Sequence, residues 1–520
     1  MSTPQTTGAP AALTGDAVID GMTSGYRWSL GPDHGVDWSF SNGFSGEFWY
    51  NPTAVKEHIE LAFDVFSYYA NVKFNYSGFF DNPSAASAAG AEINVSMDGK
   101  YISDSSIWAI GLFPSIQFNS VYFGAPGDIY LNINSSANYL RSYDPGSIGW
   151  ALLLHEIGHT LGLKHPHDDG GTGHPTFAQV GHSDLDTNLW TMMSYEDTYD
   201  WNQITWHPAT PMILDVISIQ YLYGKNASTN AGDSIYNLSE TNAYVTIWDA
   251  SGVDTLSLEG AASGWFIALP DTPISSLVDT KVGFALPRSD SFLAQPHTMD
   301  WLAGDYENVI GSPFADEIRG NGLGNSIFAG AGNDTVSAGN GSNIILGYDG
   351  DDSIVGGAGY DNVNGNRGSD TVDGGSGGND FLLGGQGNDL MIAHAGRVSL
   401  NGNLADDTVN GGAGSDTVRG GQGNDLVNGG AGNDEIYGDR GNDTLTGGAG
   451  ADTFHLTPAG GQDRVTDFNG SEGDRIAIDG GGAYTVSSSG ADAVITLATG
   501  EQFTLALQAS GMRSDWIITA

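Results

Sequence analysis

Three histidines and a glutamate at fixed spacing mark the stretch of this sequence best suited to chemistry. They lie in HEIGHTLGLKHPH, residues 155–167. On a helix, His155 and His159 are four residues apart and share one face, close enough to hold one metal ion. Glu156 flanks that face, where its carboxylate reaches a metal-held water rather than the metal itself. Gly162 lets the helix end and the chain turn, which returns His165 as a third imidazole. Three neutral imidazoles leave a zinc ion one open position, as hydrolytic sites require. A structural zinc site would carry four protein ligands and have no use for Glu156. With 12 His, 62 Asp+Glu and 77 Gly in 520 residues, this coincidence has a chance on the order of 10⁻⁴ over the whole chain.

The elements that must position these groups are legible around them. Residues 146–162, GSIGWALLLHEIGHTLG, contain no proline and read as the helix carrying His155 and His159. Residues 52–70 place Val55, Ile59, Ala62, Phe63 and Phe66 at helical spacing, with a cap expected near Asn51. AEINVS (91–96) and DIYLNIN (128–134) alternate like strands. AEINVS is the candidate edge strand against which an extended peptide could pair. His167, His174 and His182 are expected to face solvent, and His394 and His455 show no evident partner. The mixture of helices and strands predicts an α+β domain.

Residues 226–310 shift to short alternating strands between turns, as in YVTIWDASGVDTLSLEG (244–260). Beyond Gly311 the sequence is periodic. Seven nonapeptides run to Asp373, Gly374 is one extra residue, and nine more run from Gly375 to His455. The sixth position is Asp in thirteen, Asn at Asn325 and Asn343, and Val at Val398; the eighth is apolar in every one. A merely solubilising acidic surface would not hold its acids in a nine-residue register. A phosphate-binding glycine loop would occur once, after a strand and before a helix.

The repeat resembles GGxGxDxUx, the RTX motif of parallel β-rolls. Glycines permit the tight turns, the apolar eighth residue fills the interior, and stacked carboxylates repel one another unless a cation sits between them. The resemblance implies two nonapeptides per coil and calcium on Asp334, Asp352, Asp361, Asp370, Asp416, Asp425, Asp434, Asp443 and Asp452. The calcium ladder is expected to be interrupted or kinked near Gly374 and at AHAGRVSLN (393–401), which lacks the acid.

HExxHxxGxxH resembles the metzincin signature, which also demands a downstream methionine turn. LWTMMSYED (189–197) supplies one, and Met193-Ser194-Tyr195 is similar to that of the serralysin subfamily. TPMILDVISIQYLYGKN (210–226) and ADTFHLTPAGGQDRVTDFNGSEGDRIAI (451–478) are similar to serralysin segments too; Glu196 stands where an aromatic residue is usual. The resemblance implies that Met193 forms an apolar floor beneath the zinc and that Tyr195 is a displaceable ligand. It implies a zinc endopeptidase in which Glu156 is the base and Tyr195 assists the oxyanion. The substrate-lining residues carry no readable motif.

Composition agrees with cation chemistry. Against 62 acids stand 17 Lys+Arg, a net charge of −45, which disfavours nucleic acid and anionic membrane. With no cysteine, a zinc site must use His, Asp, Glu or Tyr. No apolar stretch is long enough for a membrane span, and the N-terminus lacks the features of a secretory signal peptide. The expected architecture is a propeptide (1–18), an α+β catalytic domain (19–225), a β connecting region (226–310), an all-β parallel roll of repeats (311–455) and a β cap with a C-terminal type I secretion signal (456–520). Expected partners are protein or peptide substrates, the type I secretion apparatus and a proteinaceous inhibitor. The location expected is extracellular, free or at a cell surface. The alternatives are an RTX adhesin or surface-layer protein with a relic protease domain, and a calcium module with narrow processing activity.

Overall fold

The computed structural model describes residues 3–4, 13–43, 49, 52–98, 109–113, 127–132, 143–145, 147–168, 174–195, 208–290, 296–490, 492–506 and 513–519. The Asn51 cap, residues 133–134, Glu196, and parts of the expected propeptide and C-terminal signal lie outside them.

The apolar stripe at residues 52–70 becomes a helix, Pro52–Tyr69, that buries Ile59, Ala62, Phe63 and Phe66. Proline suits its first position, where no N–H partner is needed. Among the described residues, the α-helices in chain order are α1 (Ala17–Met22), α2 (Pro52–Tyr69), α3 (Pro83–Ala88), α4 (Ile148–Leu161), α5 (Phe177–Val180) and α6 (Ile213–Tyr223). Five strands form the sheet: β1 (Gly35–Ser41), β2 (Lys73–Phe80), β3 (Ile93–Asp98), β4 (Ala109–Gly111) and β5 (Ile129–Asn132), in the order β2-β1-β3-β5-β4. All neighbours are parallel except β4, which is antiparallel to β5.

This order corrects one expectation. The segment AEINVS yields β3, which is flanked by β1 and β5 and has no free edge. Alternation reports which face a strand buries, not how many neighbours it has. The edge strands are β2 and β4; β4, which adjoins Glu156, is too short for its sequence to show a period.

The α4 helix begins where Ser147 accepts the Trp150 N–H and ends at Gly162, in the left-handed region with φ 105°. A side chain at 162 would meet the Tyr26 carbonyl as well as an unfavourable φ.

The connecting region forms a shared wall. In strand Met299–Ala303, Met299, Trp301 and Ala303 enter the N-terminal core while Leu302 enters the core of the roll. Facing alternates along a strand, so three residues serve one core and their neighbour serves the other. The Trp301 indole N–H donates to Leu189 O at 2.9 Å, and the Tyr69 hydroxyl to Thr246 O at 2.6 Å.

Beyond this wall, strands alternate between a 13-stranded and a 16-stranded sheet, most pairs parallel. Partners are 18 residues apart, as in Thr335↔Ser353 and Ser353↔Thr371, so two nonapeptides make one coil. Eighth-position side chains such as Ile354, Val363, Val409 and Leu445 are fully buried between the sheets. Across Gly374 the offset becomes 19, yet pairing continues (Thr371↔Leu390, Asn362↔Phe381). The strands also run on beside Val398, with Ser399 paired to Phe381 and Thr417. Strand pairing therefore passes both irregularities, and Val398 removes the side-chain carboxylate but not the strand. Among the described residues, no helix is long and apolar enough to cross a membrane.

Candidate functional site

His155 and His159 project from consecutive turns of α4, and the turn after Gly162 returns His165 to them. The Nε2 atoms of His155 and His159 each lie 3.1 Å from that of His165. The other ring nitrogens are committed. His155 Nδ1 meets Met192 O at 2.8 Å, His159 Nδ1 meets Leu163 O at 2.9 Å, and His165 Nδ1 meets Asp168 Oδ2 at 2.9 Å. Carbonyl and carboxylate oxygens only accept, so in the neutral rings each Nδ1 carries the hydrogen and each Nε2 presents a lone pair. Three lone pairs crowded together repel unless a cation lies among them. The donor set therefore fits a metal ion, and imidazole nitrogen suits zinc.

Burial, followed by neighbouring imidazoles, pushes His155 and His159 down to about 3 and His165 to about 4. All three rings are thus neutral and able to ligate near pH 7. Glu156 is buried beside them; burial pushes it up to about 8, opposed by a hydrogen bond from the Gly111 N–H on β4. A Cβ on Gly111 would stand 2.5 Å from Glu156 O and 3.0 Å from Glu156 Oε2. Gly111→Ala must therefore displace β4 or the glutamate. The expected outcome is about a 10²-fold loss of kcat with zinc content unchanged, read by steady-state kinetics beside metal analysis.

Met193 is fully buried beneath α4, where a Cβ on Gly158 would lie 2.8 Å from Met193 Sδ. Gly158 is the residue before His159, so the thioether packs against the turn that carries the ligands. The Tyr195 hydroxyl is 3.1 Å from His155 Nε2, while its ring remains 53% exposed. Burial of the hydroxyl, with Glu156 and Asp168 nearby, raises its pKa and keeps the phenol protonated. The structure thus brings together His155, Glu156, His159, His165, Met193 and Tyr195, with Gly162 making the turn.

Of the other histidines, His182 is exposed as expected. His174 is buried rather than solvent-facing. His167 is partly buried, with its ring parallel to that of His165 at 5.2 Å. His455 is not without partners: it meets Glu435 at 2.7 Å and Asp479 at 3.0 Å and stacks on Tyr437 at 3.9 Å. His394 pairs with Asp373. These contacts join residues about one coil apart, a relation visible only once coil length is known.

In the roll, each sixth-position Asp after Asp316 uses Oδ1 to accept the N–H of the sixth residue one coil earlier, as from Asp334 to Asp352 at 2.9 Å and from Asp416 to Asp434 at 2.8 Å. The Oδ2 atoms of Asp334, Asp352, Asp361, Asp370, Asp416, Asp425, Asp434, Asp443 and Asp452 are buried without a hydrogen-bond partner. Asp389 and Asp407 share this state and extend the set read from sequence. A Cβ on Gly429 would lie 2.6 Å from Asp434 Oδ2 and 2.8 Å from Gly447 O, so carboxylate and carbonyl oxygens converge there. Hard oxygens left unpartnered in this way fit calcium.

Sequence reasoning missed a further acidic group. Asp249, Asp254 and Glu307 gather where the strands enter the roll, with the Asp254 N–H donating to Glu307 Oε2 at 2.8 Å. Asp254 Oδ2 is buried and unpartnered, and burial pushes Asp254 up to about 7. The signal was present: SGVDTLS (251–257) parallels the last seven positions of AGAGNDTVS (329–337), but outside the repeat frame. Asp168 and Asp215 were also missed.

A mixed α/β domain holding a three-histidine metal site and joined to a parallel β-roll is the class that fold and site define. The family described as "RTX calcium-binding nonapeptide repeat (4 copies)" matches at residues 310–345, 346–379, 375–400, 383–418, 401–436 and 419–454. Serralysin from Proteus mirabilis is 27% identical over 292 residues, 52% of this chain and 55% of its own length. Serralysin C from Dickeya chrysanthemi is 34% identical over 169 residues, 29% of this chain and 35% of its own. Metalloprotease AprA from Pseudomonas entomophila is 29% identical over 221 residues, covering 39% and 42%. The matches thus span roughly a third to just over half of these relatives' lengths. The chain is serralysin-like and carries RTX calcium-binding repeats.

Proposed function

We propose that this chain is a secreted, zinc-dependent endopeptidase that hydrolyses peptide bonds in proteins. The observation that carries the reading is the convergence of three Nε2 lone pairs beside a buried carboxyl group, with each Nδ1 held by its own acceptor. His155, His159 and His165 would hold the zinc, with the Tyr195 hydroxyl adjoining. When bound, zinc supplies a Lewis acid that polarises the scissile carbonyl and acidifies water.

The chain's own groups do the rest. Glu156, held by the Gly111 N–H and ionised beside a cation on the adjacent histidines, takes a proton from the attacking water and later returns it to the leaving amine. Tyr195 turns from His155 and donates its hydroxyl hydrogen to the developing oxyanion. An extended substrate pairs with β4, whose other side is antiparallel to β5 and whose Gly111 adjoins the base. Met193 keeps the underside of the ligand helix apolar.

In this reading residues 19–225 are catalytic, 226–310 connect, 311–455 bind calcium and 456–520 cap the roll and carry the type I export signal. Asp249, Asp254 and Glu307 add hard oxygen ligands at the entry to the roll. Asp16 caps α1 and accepts from Ser275 and Ser276, so in this reading the propeptide boundary moves from 18 to before Asp16 and residues 16–18 join the catalytic part.

Zinc analysis of the calcium-loaded protein, with casein hydrolysis before and after chelation, tests the proposal. Zinc near one equivalent with chelator-sensitive cleavage is expected; hydrolysis indifferent to chelation, or none in zinc-loaded protein, would overturn it. Tyr195→Phe should lower kcat about 10²-fold with KM little changed, the loss typical of one oxyanion donor. A parallel rise in KM at unchanged kcat would instead make Tyr195 a substrate-binding group.

A further inference from the structure

We propose that Asp215 is a positioning residue for the metal site: acting through the Met192 backbone and the Thr191 side chain, it fixes the His155 ring so that Nε2 points at the other two ligands. The inference rests on the metal-site reading above. Asp215 is fully buried in the first turn of α6, far in sequence from the histidines.

Its two oxygens accept three hydrogen bonds. Oδ1 accepts the Thr191 hydroxyl at 2.5 Å; Oδ2 accepts the N–H of Met192 at 2.8 Å and of Met212 at 2.9 Å. The Met212 bond caps α6 and is what an ordinary structural role would need. The other two are directed elsewhere, into the turn that precedes Tyr195. There the Met192 carbonyl accepts from His155 Nδ1 at 2.8 Å, and Thr191 Oγ1 accepts the Met193 N–H at 3.0 Å. The Leu214 N–H also donates to Trp190 O at 3.0 Å, tying the same turn to the same helix.

One carboxylate therefore joins a buried helix, through the Met192 N–H, to the residue whose carbonyl orients His155 and, through the Thr191 hydroxyl, to the Met193 N–H of the peptide that bears that carbonyl. His159 and His165 have no such connection; their Nδ1 atoms face Leu163 and Asp168. A partner that orients a ligand in this way typically contributes 10–100-fold in metal affinity. The effect of Asp215 should therefore fall on His155 alone.

The test uses the full-length, calcium-loaded chain and zinc alone, with affinity measured by chelator competition. Cobalt-substituted protein provides the exchangeable ring N–H resonances of the three histidines. Asp215→Ala should weaken zinc binding 10–100-fold and shift the His155 resonance while leaving those of His159 and His165 in place. Asp215→Asn, which keeps an acceptor oxygen toward Met192, should recover most of both. Thr191→Val removes the bond to Asp215 and the acceptor of the Met193 N–H without touching the carboxylate, and should give a loss of about 3-fold in the same direction. It decides the matter should the alanine variant fail to fold. Folded variants with zinc affinity within twofold of the unsubstituted chain and an unmoved His155 resonance would overturn the proposal. So would equal shifts of all three resonances, the mark of general loosening. An unsubstituted chain that takes up no zinc would overturn the functional reading, and this inference with it.

Discussion

Glu156→Gln should abolish measurable proteolysis, lowering kcat by about 10³-fold or more, while zinc stays bound. The substitution keeps side-chain size and an oxygen that can accept the Gly111 N–H, so β4 and α4 should hold their places. It removes the one function the geometry assigns to this side chain, carrying a proton from water to the leaving amine. General acid–base catalysis contributes about 10²–10⁴-fold, and here one group performs both transfers. The ligands are untouched, because their Nδ1 partners are Met192, Leu163 and Asp168. Kinetics on casein and zinc analysis of the same sample separate the two properties. A folded, zinc-loaded Gln variant with even a tenth of the activity would remove Glu156 from its role as base.

Glu156 and its neighbours were legible because the helical period converts sequence spacing into one face directly. His155, Glu156 and His159 need only one helix, and Gly162 announces where that helix stops. The eighth-position stripe and sixth-position acids were legible for a similar reason: each coil repeats the last, so one motif describes them all. Asp215 was not, because its partners Thr191 and Met192 lie more than twenty residues away and meet it only through the tertiary fold. The edge strand was misplaced on the same ground. β3 has the better strand pattern, but β4, like β2 at the far end, is left with one neighbour, and neighbour number is a property of the sheet. His455 illustrates the limit inside the repeats, where Glu435 sits about one coil away and Asp479 comes from beyond the array. Val398 ran the other way. Loss of the acid was plain in the sequence, but the strands pass it because the backbone N–H of Val398 still finds Asp416 Oδ1 at 2.8 Å.

Withdrawal of calcium should unfold the roll at alkaline pH, and acid should restore part of it without calcium. One apolar side chain per nonapeptide is little reward for ordering nine residues, and the buried carboxyls add a cost that depends on pH. Burial first, and then neighbouring carboxylates, pushes Asp334, Asp407 and Asp443 up to about 8 and Asp352 and Asp389 up to about 7. Burial pushes Asp370, Asp416, Asp425 and Asp452 up to about 6. In the unfolded chain each titrates near 3.9. The folded, calcium-free roll therefore binds protons more tightly than the unfolded chain does. The stability from these groups is complete below about pH 4 and is lost as pH rises through 6 to 8. Calcium and protons compete for the same Oδ2 atoms, so calcium affinity should rise over the same interval. Protein freed of calcium by dialysis should show little β signal in far-UV circular dichroism at about pH 8.5 and recover part of it at about pH 5. Calcium added at the higher pH should restore it fully, with a midpoint at lower concentration than at pH 6. A calcium-free roll that keeps its full signal at pH 8.5, or a midpoint that ignores pH from 6 to 8, would show that the sixth-position carboxylates are not what the ion neutralises.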